Sequence, residues 1–192
     1  MVGKLSLRQR NRVLAMRLVQ ETAVAMFETD GYDTTTVEAI AESSGVSAST
    51  IYRHFGTKER LVLWDERDPV VDAQLSKRLG QQPAVEAFRD AASVALADRD
   101  DIGLFLRRLQ LIYAEPAIWG AAAQQDQIDS AELAKAFALA DRRRKVRISD
   151  EVMAAVCLAA LDVALNDWQK SGGKSSLSAV IEQAIDSALS LG

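Results

Sequence analysis

Ser47, Ala48, Ser49, Thr50, Tyr52 and Arg53 bring small groups, hydroxyls, a phenol and a guanidinium together within about two helical turns. With Ser47 as an N-cap, and Val46, Ile51 and Phe55 locking the helix inward, Ala48, Ser49, Tyr52 and Arg53 face out. Small residues let a helix approach closely in a DNA major groove, and its N-terminal end meets base edges and phosphates. An arginine can read guanine through two hydrogen bonds, whereas hydroxyls and a lysine position without reading sequence. The chemistry offered is recognition, not bond breaking.

Other chemistries are thinly supplied. His54 is the only histidine, so a multi-histidine metal site is impossible. Cys157 is the only cysteine, which excludes an internal disulfide and a cysteine zinc site and fits a reducing cytoplasm. Its apolar neighbours make it a packing residue with an inert thiol. There is no glycine-rich phosphate loop and no nucleophile elbow, and the pair Asp100 and Asp101 reads as helix caps. Neither an enzyme nor a cofactor nor a metal is expected.

The elements that must hold this surface are helices. Leu14, Leu18, Val19, Ala23, Ala25 and Met26 recur at helical spacing, which predicts a first helix over about 8–29, stopped at Asp30 and Gly31. Two short helices follow, about 36–43 and 47–54. Thr35 or Thr36 caps the first of them, and Thr35 with Glu38 has capping-box spacing. Gly45 sits where a left-handed residue is needed between them, and two helices joined by so short a turn make a helix-turn-helix. Thr57 can cap a fourth helix, which Pro69 should break or kink near Asp68. Further helices are expected at about 83–97, 101–114, 116–142, 149–171 and 176–190, with Ser149 and Ser176 as N-caps and Gly172-Gly173 as a stop. The fold class is all-α. A helix-turn-helix domain over 1–62 precedes a helical effector-binding and dimerisation domain over 63–192.

A net charge of −4 looks wrong for a nucleic-acid partner until its distribution is considered. Residues 1–17 carry Lys4, Arg8, Arg10, Arg12 and Arg17 and no acid. A basic arm ahead of an acidic body suits a localised DNA contact, although a solvated terminus would look the same. Arg142, Arg143, Arg144 and Lys145 fall at an expected helix C-terminus, where cations complement the dipole. The start lacks the apolar stretch of a signal peptide, and the nearly apolar run 152–161 is too short to span a bilayer. A cytoplasmic protein without membrane contact is expected.

The fuller pattern is more specific than a generic helix-turn-helix. Phe27, Gly31-Tyr32, Thr35-Thr36-Val37, Ile40-Ala41, Gly45-Val46-Ser47, Thr50-Ile51-Tyr52, His54-Phe55 and Lys58-Glu59 resemble the TetR-family DNA-binding domain over about residues 10–62. The resemblance implies that Ala48, Ser49 and Arg53 face base edges and that Tyr52 meets the backbone or a thymine methyl. It also implies that Thr36, Thr50, His54 and Lys58 hold phosphates, with Ser47 at the head of the same surface. A packed or capping role is the alternative for His54.

The helix over 149–171 is apolar nearly all round across 152–165, so it must bury more than one face. Ile181, Ile185 and Leu189 give the last helix a matching stripe. Two such helices from each of two subunits would make a four-helix bundle, as in TetR-family dimers, the alternative being that both lie in an intrachain core; a homodimer matches a palindromic operator in double-stranded DNA. Phe88, Phe105, Leu109, Tyr113, Trp119, Phe137 and Trp168 fall where related regulators surround a ligand, which implies a small apolar or aromatic effector, although residues of these types at helical spacing serve equally as core. The expected function is a ligand-responsive repressor. A constitutive DNA-binding dimer and, more remotely, an all-α enzyme are the competing readings.

Overall fold

The computed structural model describes residues 6–97 and 99–190; Lys4 of the expected arm lies outside them. Ten helices run along the described residues: α1 Leu7–Asp30, α2 Val37–Ser44, α3 Ala48–Phe55, α4 Arg60–Leu63, α5 Asp68–Arg78, α6 Ala84–Ala97, α7 Ile102–Ala114, α8 Pro116–Ala140, α9 Ile148–Lys170 and α10 Leu177–Leu189. No strand forms among the described residues, so the all-α expectation holds.

Local chemistry sets most boundaries. Ser6 and Gln9 cap α1 reciprocally, and Gly31 ends it at φ 90°. The Thr36 hydroxyl, not that of Thr35, accepts from Ala39 N at 3.1 Å to cap α2. Gly45, at φ 69°, makes the left-handed turn into α3, which Ser47 caps. Two expectations need correction. The fourth helix ends at Leu63, well before Pro69, and that proline instead opens α5, where its missing N–H has no partner to lose. Ser149 does not cap α9; the helix starts at Ile148, and the Asp150 carboxylate accepts from Arg147 N at 2.8 Å.

The chain divides into two compact units. The first, here called the head, comprises Met1–Glu66 with Gln110–Ala121. Its core takes Val19, Ala23, Val24 and Phe27 from α1, Ile40 from α2, Ile51 and Phe55 from α3, and Leu61 and Val62 from α4, all buried. The second, the body, comprises Arg67–Leu109 with Ala122–Gly192. Here α10 lies against α6 and α9, and α5 against α6. Buried Ala154, Cys157, Ala160 and Ala164 line the inner side of α9, and Ile181 and Ile185 that of α10. No described helix is long and apolar enough to cross a membrane.

Candidate nucleic-acid interface

The surface forecast for α3 forms. Ile51 and Phe55 are buried, and Tyr52 and Arg53, one and two residues from Ile51, are exposed, Tyr52 to 46 %. Ser49 is also exposed, while Ala48 and Thr50 are half-buried. At the N-terminal end the Ser47 hydroxyl lies 3.2 Å from that of Ser49 and 2.9 Å from that of Thr50. Arg53 Nη2 donates to the Thr50 hydroxyl at 3.3 Å, and the Tyr52 hydroxyl sits 3.4 Å from a Glu38 carboxylate oxygen. Thr36, at the start of α2, is exposed. Hydroxyls at a helix N-terminus, with a phenol and a guanidinium beyond them, form a surface of donors able to meet phosphates and base edges.

Beneath this surface, polar side chains tie the head together. Gln20, buried on α1, donates to Leu61 O at 2.8 Å and to Trp64 O at 2.7 Å, closing the C-terminal end of α4. Arg17 pairs with Glu66 close by. Thr35 is turned inward, its hydroxyl donating to Gly31 O at 2.8 Å. The Tyr32 hydroxyl donates to Glu59 at 2.5 Å; burial and then that carboxylate raise its pKa well above the ordinary phenol value.

Two expected phosphate ligands are drawn into this framework. Lys58 Nζ donates to Tyr32 O at 2.7 Å and Thr35 O at 3.2 Å and lies 4.0 Å from the Tyr32 ring centroid. His54 is half-buried, with Nδ1 3.1 Å from Arg12 Nη2. Burial and then the Arg12 charge push its pKa below the ordinary value of 6.5. Sequence reasoning missed Gln20 altogether and counted Arg12 only as part of a basic arm. A glutamine between Val19 and Glu21 carries no signal of its tertiary acceptors.

Residues 20–63 match the family model described as bacterial regulatory proteins, tetR family. The match covers α2, α3 and α4 with the C-terminal part of α1, the segment that carries the recognition surface. No curated protein matches it significantly. Among solved structures it is similar to NalD, the secondary repressor of the MexAB-OprM multidrug efflux pump in Pseudomonas aeruginosa, at 18 % identity and a TM-score of 0.55 over 94 % of this chain and 96 % of that one. It is also similar to Thermus thermophilus FadR, a TetR-family transcriptional repressor in complex with lauroyl-CoA, at 19 % identity and a TM-score of 0.54 over 91 % and 93 % of the two chains. At these identities the likeness is one of fold.

The residues expected around a TetR-family effector fall into two sets. Phe88, Phe105, Leu109, Phe137 and Trp168 are buried in the body, with Phe105 and Trp168 5.9 Å apart between ring centroids. Tyr113 and Trp119 cluster instead with the head, 5.4 Å apart, with Trp119 largely exposed. None of the seven lines the cleft of about 260 Å³ bounded by Gln127, Ser130, Ala131, Ala134, Lys135, Val146 and Glu151. The composition gave no warning that two arginines enter this interior: Arg99 and Arg108 are buried, with the Arg99 guanidinium 3.9 Å from the Phe105 ring centroid and paired to Asp101 at 2.8 Å. Burial alone pushes the Cys157 thiol up to about 12, in keeping with a packing role.

Proposed function

We propose that this chain is a TetR-type, ligand-responsive transcriptional repressor that binds a palindromic operator as a homodimer. The observation that carries the reading is α3 itself. Ile51 and Phe55 anchor it, and the hydroxyls of Ser47, Ser49 and Thr50, with Tyr52 and Arg53, occupy its outer side. In this reading Ala48, Ser49 and Arg53 face base edges, Tyr52 meets the backbone or a thymine methyl, and Thr36, Ser47 and Thr50 hold phosphates.

The second subunit is supported by the outer face of α9. Val152 is 56 % exposed and Val163 62 %, with Val156 also exposed between them, an apolar stripe running down one helix. Such a stripe suits a self-complementary two-fold interface, which would present two heads to two half-sites. Val156→Asp and Val163→Asp are expected to yield monomers in sedimentation and to weaken operator binding without unfolding the head.

A small apolar or aromatic effector would act on the body and cost operator affinity through Trp64–Arg67, the segment joining α4 to α5. The coupling expected of such a switch is about 1–3 kcal/mol. The acyl-CoA bound by FadR supports an effector with a large apolar part. One observation favours a second reading, constitutive binding without an effector: five of the seven expected lining residues are buried in the body.

The deciding experiment is binding to duplex fragments flanking the gene at two salt concentrations, with Tyr52→Ala alongside. Saturable, salt-sensitive binding to one palindromic fragment, lost in the variant, establishes the operator role. No binding to any genomic fragment by a folded dimer overturns it. If a bound operator is not released by any of a panel of apolar and aromatic compounds or acyl-CoA esters, the constitutive reading replaces the switch.

A further inference from the structure

An imidazole can serve a phosphate only with a nitrogen that is free and reachable. Nδ1 of His54 lies 3.1 Å from Arg12 Nη2. A guanidinium has no acceptor, so Nδ1 must accept and the ring proton must sit on Nε2. Nε2 is itself buried and has no hydrogen-bond partner. The ring is held in place by near-perpendicular contacts with Phe55, at 4.6 Å between centroids, and Trp64, at 5.4 Å. Neither nitrogen is therefore both free and reachable: Nδ1 is engaged by Arg12 and Nε2 is buried. Arg12, by contrast, is exposed, uses one donor on His54 and keeps the others of its fork. Because His54 stands in the last turn of α3, the contact fixes Arg12 beside the recognition helix.

We propose that His54 is a positioning residue, holding the Arg12 guanidinium at the DNA-facing side of the head, and that Arg12 rather than His54 contacts the phosphate. The inference rests on the operator reading above. It assigns a task to one residue of the basic arm and removes one from the histidine. Protonation of His54 turns its acceptor into a donor and sets two cations against each other, so the contact requires a neutral ring. Among the described residues packed on that ring, Arg12 from α1, Trp64 after α4 and Phe55 on α3 itself, only Arg12 is charged.

His54 is the only histidine, so its ring nitrogens can be followed by nitrogen-15 spectroscopy without ambiguity. The wild type is expected to show the Nε2-protonated tautomer and a midpoint below 6.5, and Arg12→Gln is expected to move that midpoint upward. On an operator duplex, Arg12→Ala should lower the slope of log affinity against log salt by about 0.9, one phosphate's worth. His54→Phe should lose the same amount, the double variant no more than either single one, and His54→Gln, which keeps an acceptor, should recover much of it. An unchanged slope in Arg12→Ala overturns the proposal, as does a further loss when His54→Phe is added to Arg12→Ala. A wild type that binds no duplex removes the operator reading and the phosphate step with it, whereas an imidazole midpoint unmoved by Arg12→Gln removes this proposal alone.

Discussion

The head and the body are both helical, yet they are held together by different means. In the head, side chains reach backbone carbonyls of other segments: Gln20 at the end of α4, Lys58 on the loop before α2, Thr35 on Met26 O of α1. Its helices α2, α3 and α4 span eight, eight and four residues, too short to bury much surface each. Fixing their ends by hydrogen bonds specifies their positions where packing alone would be permissive. In the body, the long helices α9 and α10 lie against each other, with Ala154, Cys157, Ala160 and Ala164 buried on one and Ile181 and Ile185 on the other. Such an interior tolerates exchange of one apolar residue for another of similar volume. A unit held by named donors depends on single side chains; a unit built from volume does not.

The contrast can be broken at several points. The largest effect expected concerns the closure of the body. With its thiol raised from 9.0 to about 12, folded Cys157 should react with a thiolate-selective reagent at pH 8 about a thousandfold more slowly than the unfolded chain. Rapid labelling of the folded protein would mean that the interior of α9 is open. Next, Trp168→Ala removes a side chain only 1 % exposed, together with its bond to Ser175 O, and should cost about 3–5 kcal/mol in denaturant unfolding. A smaller loss would show that the body collapses around the gap.

Gln20→Leu tests the head directly, because it preserves bulk while leaving the Leu61 and Trp64 carbonyls without their donor. It should cost about 2 kcal/mol. A neutral outcome would erase the distinction between the two regions. The smallest effect is a gain. Arg142 holds φ 56° in the turn after α8, a conformation that a side chain resists, so Arg142→Gly should raise stability by about 0.5 kcal/mol in the same assay.

How much could be read in advance follows the same division. The turn at Gly45, the cap at Ser47 and the inward pair Ile51 and Phe55 were legible because each is decided within a few residues. The two sides of α9 were legible as well, since a helix apolar nearly all round must leave one side uncovered in a single subunit. Pro69 was misjudged although the clue was present: a proline just after an acidic residue opens a helix as readily as it ends one. The partners of Thr35, His54 and Lys58 were out of reach because they come from other segments. The aromatic residues of the body were ambiguous for a deeper reason. Core and ligand pocket draw on the same residue types at the same spacing.

The shortness of α3 has a consequence of its own. Eight residues lie below the length at which a helix persists alone in water, even with a good cap. A peptide copied from Ser47 to Gly56 would therefore be a coil, with Tyr52 and Arg53 pointing in no fixed direction. The shape offered to a partner exists only while Ile51 and Phe55 are seated in the head. Losing that seat dissolves the surface and the fold in one cooperative step, so amide exchange in α3 should report the unfolding of the whole head.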